Sequence, residues 1–165
     1  MSRDAVEKLY AFERVGALEW IGLRPARRAA MTVAECAQAV AGCGLAGDRS
    51  AERAGGKRQV TLIQSEHLIV IARLVGLETI APEQLRRNLV ISGLNVWALK
   101  DRRFMIGDVE FEGTGACHPC SRMEESLGKG GFTAMRGHGG ITARVLSSGS
   151  VCLGARVVGR SSHSR

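Results

Sequence analysis

The sequence predicts a mostly β fold, a barrel of short strands with a few short helices at its periphery. Short β-rich segments recur along the chain, and glycine residues separate many of them, which is typical of barrels. A long helical segment does not follow every strand, as a doubly wound parallel sheet would require. With 165 residues, 45% of them apolar, the chain can bury the core of one domain. We place this domain at residues 18–158, between an N-terminal segment (1–17) and a flexible, serine-rich tail (159–165).

In the N-terminal half, capping and turn residues delimit the predicted elements. Residues 18–23 (LEWIGL) form a predicted strand that ends before a proline. Residues 32–40 are predicted to form a helix, because Thr32 and Glu35 have the spacing of a capping box. Residues 65–74 form the clearest predicted helix, with a serine as N-cap and a glycine after its end. Further predicted elements are a loop at 42–48, a polar segment at 50–56 and a strand at 59–63.

In the C-terminal half, predicted strands predominate. A helical turn at residues 81–85 has Pro82 in its first position. A helix at residues 121–128 can follow Pro119. Glycine is dense at residues 128–140, which indicates turns. The predicted strands are residues 88–92, 104–106, 109–112, 141–146, 151–153 and 155–158.

The net charge of +7 comes from an excess of arginine, since only four of the 23 basic residues are lysine. Arginine forms paired hydrogen bonds to phosphate and carboxylate groups, so an anionic ligand is expected. A nucleic acid is the general candidate for a basic protein. It is disfavoured here, because aromatic residues for base stacking make up only 4% of the chain and the basic residues are scattered.

The expected location of the protein is the cytoplasm. No apolar run is long enough to span a bilayer, and residues 1–10 carry charges where a signal peptide has its apolar core. We therefore expect no membrane partner. Five cysteines without the spacing of a disulfide framework favour a reducing compartment over export.

The most specific chemical signal is a Cys-x-x-Cys motif at Cys117 and Cys120, between a predicted strand and a predicted helix. A helix N-terminus favours the thiolate form of cysteine, which is a nucleophile and a soft metal ligand. Three other interpretations stay open: half of a zinc site, a thioredoxin-like redox motif, or two partly buried structural thiols. The other cysteines, Cys36, Cys43 and Cys152, form no second close pair in the sequence. The motif also lies late in the chain rather than near the start of a βαβ unit.

Other candidate site residues are weaker signals on their own. Arg86, Arg87 and Asn88 precede a predicted strand and could clamp a phosphate or be exposed without a ligand. Gly139 and Gly140 could let the backbone approach a ligand closely. The glycine spacing matches neither a P-loop nor a dinucleotide fingerprint.

Six short motifs, in their order along the chain, resemble the MOSC domain. This is the C-terminal domain of molybdenum cofactor sulfurases, which also occurs as small stand-alone bacterial proteins. The motifs are residues 44–49 (GLAGDR), 58–63 (RQVTLI), 85–90 (LRRNLV), 106–109 (IGDV), 117–120 (CHPC), and 139–140 (GG) followed by Arg144-Val145. The resemblance extends from about residue 18 to residue 158. It implies a MOSC-type β-barrel that binds the molybdenum cofactor, a pterin dithiolene with a phosphate.

The resemblance also implies roles for the candidate residues. Cys120 matches the family's key cysteine, which ligates molybdenum in the enzymatic branch, and a soft thiolate suits such a metal. Arg86, Arg87 and Asn88 would hold the cofactor phosphate. The other expected cofactor-binding residues are Cys117, Gly139 and Gly140.

The function that the resemblance implies is reduction of N-hydroxylated compounds at a Cys-ligated molybdenum centre, with His118 or His138 relaying protons. The pyridoxal-phosphate domain of full sulfurases is not present in this sequence, so the chain is not expected to take sulfur from cysteine by itself. No iron–sulfur or flavin motif is visible. We therefore expect an electron-donor protein as partner and a small molecule as substrate.

Two alternative functions stay open. A non-catalytic carrier would bind sulfur or the molybdenum cofactor and hand it to a cofactor-biosynthesis or sulfurase partner. A nucleic-acid or other anion-binding module would depend on the net charge of +7 and not on Cys120. The order of the six motifs favours the reductase and the carrier over the third function.

Overall fold

A computed structural model describes residues 1–9, 11–12 and 14–160 of the chain. Within these residues the strands are β1 (Gly16–Leu23), β2 (Thr32–Ala34), β3 (Cys36–Val40), β4 (Gly44–Leu45), β5 (Val60–Gln64), β6 (Leu89–Ser92), β7 (Arg103–Ile106), β8 (Val109–Ala116), β9 (Ile141–Val145), β10 (Gly149–Cys152) and β11 (Arg156–Gly159). The helices are α1 (Arg3–Leu9), α2 (Ser65–Leu74), α3 (Pro82–Leu85), α4 (Arg122–Leu127) and α5 (Gly131–Met135). Two 3₁₀ helices span Arg49–Glu52 and Val96–Leu99.

Seven strands close into a barrel, which confirms the predicted fold class. Their order is β1-β6-β5-β9-β8-β7-β11, and β11 pairs back onto β1. Neighbouring strands are antiparallel except β5 and β6, which are parallel. A parallel pair needs a crossover connection, and α2 and α3 lie in the segment that connects β5 to β6.

A second, smaller sheet has the order β10-β3-β4. The predicted helix at residues 32–40 is wrong, because these residues form β2 and β3. From Cys36 to Val40 exposure alternates, and Ala37 and Ala39 are buried, as the two-residue period of a strand requires. Cys36 lies opposite Cys152 in β10, and the two form a disulfide bond. The sequence, which has no framework spacing of cysteines, did not indicate this bond.

Two hydrophobic cores share β5 and β6. Side chains alternate between the faces of a strand, so Leu62 and Leu89 lie in the barrel while Ile63 and Val90 pack against the helices. Both faces are therefore covered, which explains the nearly continuous apolar sequence of these strands. The outer core also contains Met123 of α4. The packing of Met123 in this outer core holds α4 against the barrel. The Cys-x-x-Cys motif lies just before this helix.

Most of the other predicted elements agree with the structure. The helix at Ser65–Leu74 has the predicted bounds, although its N-cap is Gln64 and not the serine. The helix α5, within the glycine-dense segment, was not predicted. The predicted flexible tail falls largely on residues 161–165, which lie outside the described residues. No helix among the described residues is long and apolar enough to cross a bilayer.

Candidate functional site

A cavity of about 190 Å³ is lined by one cysteine thiol and six guanidinium groups. The thiol belongs to Cys120, which is exposed. The arginines that line this cysteine cavity are Arg24, Arg49, Arg58, Arg86, Arg87 and Arg122. They come from the segments after β1, before β5, before β6 and after β8. The fold thus brings together the cysteine motif and basic residues that are scattered in the sequence.

Asp48 fixes the position of Arg24. Its buried carboxylate accepts two hydrogen bonds from the guanidinium group, from Nε to Oδ2 at 3.0 Å and from Nη2 to Oδ1 at 3.1 Å. The backbone amides of Arg24 and Ser50 donate two more. Burial alone would raise the pKa of Asp48, but the hydrogen bonds and positive charge of Arg24 outweigh burial and lower it. Asp48 therefore remains a carboxylate that orients Arg24 in the cavity wall.

Asn88 forms its hydrogen bonds within the protein. Its Nδ2 donates to the carbonyl oxygen of Gly22 at 3.0 Å and to Asp48 Oδ2 at 2.8 Å. Its Oδ1 accepts from the amide of Thr61 at 3.0 Å and from Arg24 Nη2 at 3.3 Å. Among the described residues that line the cysteine cavity, Asn88 does not occur. It supports Arg24 and Asp48, and its contact with a cofactor phosphate stays a prediction.

Arg87 ties three segments of the site together. Only 5% of the residue is exposed, and it donates from Nε to the carbonyl oxygen of Gly139, from Nη1 to that of Leu85 and from Nη2 to that of Cys117. Burial lowers the pKa of Arg87, and the nearby Cys117 thiol partly opposes this change. Cys117 is buried, and Arg58 Nη2 donates to its Sγ at 3.6 Å. Arg87 thus anchors the backbone that presents the exposed cysteine.

Gly139 and Gly140 allow close packing of backbone at the site. A Cβ atom on Gly139 would overlap the carbonyl oxygen of Cys117. Gly140 has a φ of +82°, and a Cβ atom there would overlap the carbonyl oxygen of Leu62. These contacts explain both glycines structurally. Their contact with a cofactor stays a prediction.

Arg86 lies at the end of α3 with a φ of +54° and donates from Nη1 to the carbonyl oxygen of Ala29 at 2.7 Å. Burial lowers the pKa of Arg86, and the positive charges of Arg122, Arg24 and Arg49 lower it further. No carboxylate occurs among the described residues that line the cysteine cavity. The cavity is therefore strongly positive and suits an anionic group.

The two histidines predicted as proton relays lie in different places. His118 is exposed and precedes Cys120 by two residues. His138 packs edge-on against His67, with the ring centroids 5.2 Å apart. Its Nδ1 is buried and has no hydrogen-bond partner among the described residues. Neither His118 nor His138 is among the described residues that line the cysteine cavity.

Sequence reasoning missed four of the arginines in the cavity wall, Arg24, Arg49, Arg58 and Arg122. Two of them were within reach of sequence analysis, because Arg49 ends one of the six motifs and Arg58 begins the next. Arg24 and Arg122 carry no such local signal. Their place in the site follows only from the tertiary contacts of β1 and α4.

The chemistry of the cysteine cavity follows from this set of donors. Guanidinium groups form forked hydrogen bonds to phosphate, and an exposed thiol offers one soft ligand or a nucleophile. Among the described residues, no group of three or more His, Cys, Asp or Glu side chains is placed to hold a metal ion. Any metal here would thus need further ligands from a bound cofactor.

Comparison with known proteins gives the same fold. A sequence model of the MOSC domain matches residues 48–158. YuaD from Bacillus subtilis superposes with a TM-score of 0.74 at 19% identity, over 88% of this chain and 96% of YuaD.

Two further solved structures are YiiM proteins. YiiM from Geobacillus stearothermophilus has a TM-score of 0.70 at 16% identity, over 88% of this chain and 75% of its own. YiiM from Escherichia coli has a TM-score of 0.66 at 19% identity, over 90% and 72%. No curated protein matches the chain significantly. Because the matched segment covers most of the barrel and the whole cysteine motif, the chain belongs to the MOSC domain family.

Proposed function

We propose that the protein binds the molybdenum cofactor in the cysteine cavity and reduces N-hydroxylated compounds there. The observation that carries this proposal is the position of the Cys120 thiol in the same cavity as six guanidinium groups. This donor set suits both parts of the cofactor, because guanidinium groups bind phosphate and a thiolate binds a soft metal. Membership of the MOSC family supports the same assignment.

Each part of the site has a separate task in this proposal. When bound, the cofactor supplies a molybdenum centre that exchanges two electrons with the substrate. Cys120 supplies a thiolate ligand, and the arginines of the cavity wall hold the anionic end of the cofactor. The buried residues Asp48 and Arg87 keep these groups in position through their hydrogen bonds. His118, exposed and close to Cys120 in the chain, is the histidine that we assign to holding a proton at the surface of the site.

The proposal includes a partner and a location. Electrons reach the site from a separate donor protein, because the sequence shows no iron–sulfur or flavin motif. The proposed location is the cytoplasm.

The experiment compares wild-type protein with Cys120→Ala and with Cys43→Ala, all expressed in a host that makes the cofactor. Cys43 is a free cysteine outside the cysteine cavity and serves as the matched control. We expect molybdenum and pterin together in the wild type and in Cys43→Ala, loss of molybdenum in Cys120→Ala, and reduction of a hydroxylamine only by the loaded proteins. Equal molybdenum content in all three proteins would overturn the assignment of Cys120 as ligand.

A second candidate function is that of a carrier of sulfur for cofactor sulfuration, and the exposure of the Cys120 thiol favours it. An exposed cysteine in a cavity lined by cationic side chains is accessible to a sulfur donor. This function predicts that the Cys120 thiolate takes the outer sulfur of a donor persulfide, which leaves as a thiolate. A persulfide then forms on Cys120 without turnover of hydroxylamines. Intact mass before and after reduction measures the added sulfur, and its absence on Cys120 would exclude this function.

A further inference from the structure

A second basic cavity adjoins the cysteine cavity. This basic groove has a volume of about 670 Å³ and is bounded by the segment after β1 and by the segment that leads into β5. The described residues that line this groove carry one carboxylate, that of Glu52, and five cationic side chains. The cationic side chains are Arg27, Arg49, Arg53, Lys57 and Arg58.

The floor of the basic groove is fixed by hydrogen bonds of the buried Gln59 side chain. Gln59 Nε2 donates to the carbonyl oxygens of Gly42 at 2.9 Å and Gly56 at 2.8 Å, and its Oε1 accepts from the amide of Val145 at 2.9 Å. The amide of Gly55 also donates to the carbonyl oxygen of Gly42. The backbone that carries the cations is therefore held in place before any ligand arrives, which reduces the entropic cost of binding.

Four of the five cations of the basic groove have no anionic partner in the part of the chain that the structure describes. Among the described residues, Arg27, Arg49, Arg53 and Lys57 form no ion pair with a carboxylate. Like charges that are held together repel one another, and a bound anion relieves this repulsion. The groove therefore favours a ligand with more than one negative charge.

Two residues belong to both cavities. Arg49 and Arg58 line the basic groove on one side and the cysteine cavity on the other. A ligand whose anionic end lies in the groove can thus extend between these two side chains toward Cys120. This arrangement separates the part of a ligand that binds from the part that reacts.

We propose that the basic groove binds the phosphate groups of the substrate, so that this protein acts on small organic phosphates with two or more negative charges. The inference rests on the proposed reductase function for the reacting end of the substrate, and on the basic groove alone for its phosphate end. None of the described residues that line the groove is aromatic. Single-stranded nucleic acids bind largely by stacking on aromatic side chains, so a small phosphate ester fits the groove better than a nucleic acid.

The first test measures binding of inorganic pyrophosphate by calorimetry at physiological salt, with protein that carries no cofactor. The double variant R53Q/K57Q removes two groove cations that form no ion pair with any of the residues described. Its matched control, K129Q/R136Q, removes the same charge from exposed positions outside the groove. We expect the Kd for pyrophosphate to rise about tenfold or more in R53Q/K57Q, because two charge-assisted contacts are lost, and to stay within about twofold in the control.

Three results would overturn the proposal. One is no binding of pyrophosphate, and another is equal weakening in both double variants, which would show an effect of net charge alone. The third is that a 20-nucleotide single strand binds more tightly than pyrophosphate and shows the same loss in R53Q/K57Q. These measurements do not require molybdenum. They can therefore refute phosphate binding in the groove independently of whether the proposed reductase function is correct.

A second test uses protein loaded with the cofactor. The groove should still bind pyrophosphate when the cofactor is present, and loss of binding on loading would assign the groove to the cofactor and refute the proposal. A hydroxylamine that carries a phosphate should have a lower KM than the same compound without it. This advantage should disappear in R53Q/K57Q but persist in K129Q/R136Q.

Discussion

Replacing Asp48 by asparagine tests the hydrogen bonds that hold the cavity wall. Asp48 accepts five hydrogen bonds, three at Oδ2 and two at Oδ1, and every partner is a donor. An asparagine has one acceptor oxygen and an NH₂ group at these two places. With its oxygen at the Oδ2 position, it loses the bonds from Arg24 Nη2 and from the amide of Ser50. A bond to a charged group contributes about 1.5–3 kcal/mol and a neutral one about 0.5–1.5 kcal/mol, so Asp48→Asn should destabilise the protein by about 3 kcal/mol.

Urea unfolding measures this loss. With a slope of about 2 kcal/mol per molar urea, a loss of about 3 kcal/mol lowers the midpoint by about 1.5 M. The matched control is Asp108→Asn, because Asp108 is exposed in the turn between β7 and β8. This change removes the same charge and should alter the unfolding free energy by no more than about 0.5 kcal/mol. Equal midpoints for the two variants would refute the role of Asp48.

The same comparison has a defined pH dependence. The folded-state pKa of Asp48 is lowered, because the bonds and charge of Arg24 outweigh the opposing effect of burial. The stabilisation is therefore fully present above the unfolded-state pKa of about 4 and is lost as the pH falls through the lower, folded-state pKa. The difference between wild type and Asp48→Asn should be constant at neutral pH and should shrink in acid. A constant difference down to the acid transition would contradict the pKa argument.

Two further predictions concern the glycines before β9 and His67 of α2, which packs against His138. Gly140→Ala should destabilise the protein by at least about 3 kcal/mol, because the new Cβ overlaps the carbonyl oxygen of Leu62 and φ is positive. Gly137→Ala, with a φ of +80° but open space around it, should cost only about 1 kcal/mol in the same unfolding assay; equal losses would contradict the overlap. The pKa of His67 is lowered by burial and then by the charge of His138, so the unfolding free energy should fall as the pH drops below the unfolded-state pKa of about 6.5. His67→Phe should flatten this pH dependence, and an unchanged profile would refute it.

Short sequence patterns, such as capping residues and glycines, predicted the helices and strands whose formation depends on neighbouring residues. The helix at Ser65–Leu74 has its predicted bounds because the glycine after its end acts over a few residues, although the N-cap is Gln64 and not the predicted serine. Residues 32–40 have an equally local signal, the capping-box spacing, but form strands. The decisive interaction there is the pairing of β3 with β10, more than 100 residues away, and tertiary pairing routinely overrides a weak local preference.

In the candidate site, too, contacts between residues distant in sequence could not be predicted from sequence patterns. The sequence left two alternatives for Arg87, a phosphate contact or an exposed side chain. In the structure the side chain is buried, its guanidinium donates to three backbone carbonyl oxygens, and a phosphate contact stays a prediction. Two of these oxygens belong to Cys117 and Gly139, and no spacing rule connects Arg87 to either. The Cys-x-x-Cys motif is local and could be read from the sequence, and the family resemblance then selected Cys120 as the candidate ligand. The arginines around Cys120 could not be predicted as a group, because they come together only in the folded barrel.

The disulfide bond between Cys36 and Cys152 closes a covalent ring of chain with a sequence separation of 116 residues. Residues 52–58, beside the basic groove, lie inside this ring and are all exposed. A protease that cuts one peptide bond there leaves two pieces that remain covalently joined. Such a nicked molecule would run as a single band on a denaturing gel and separate into two fragments only after reduction.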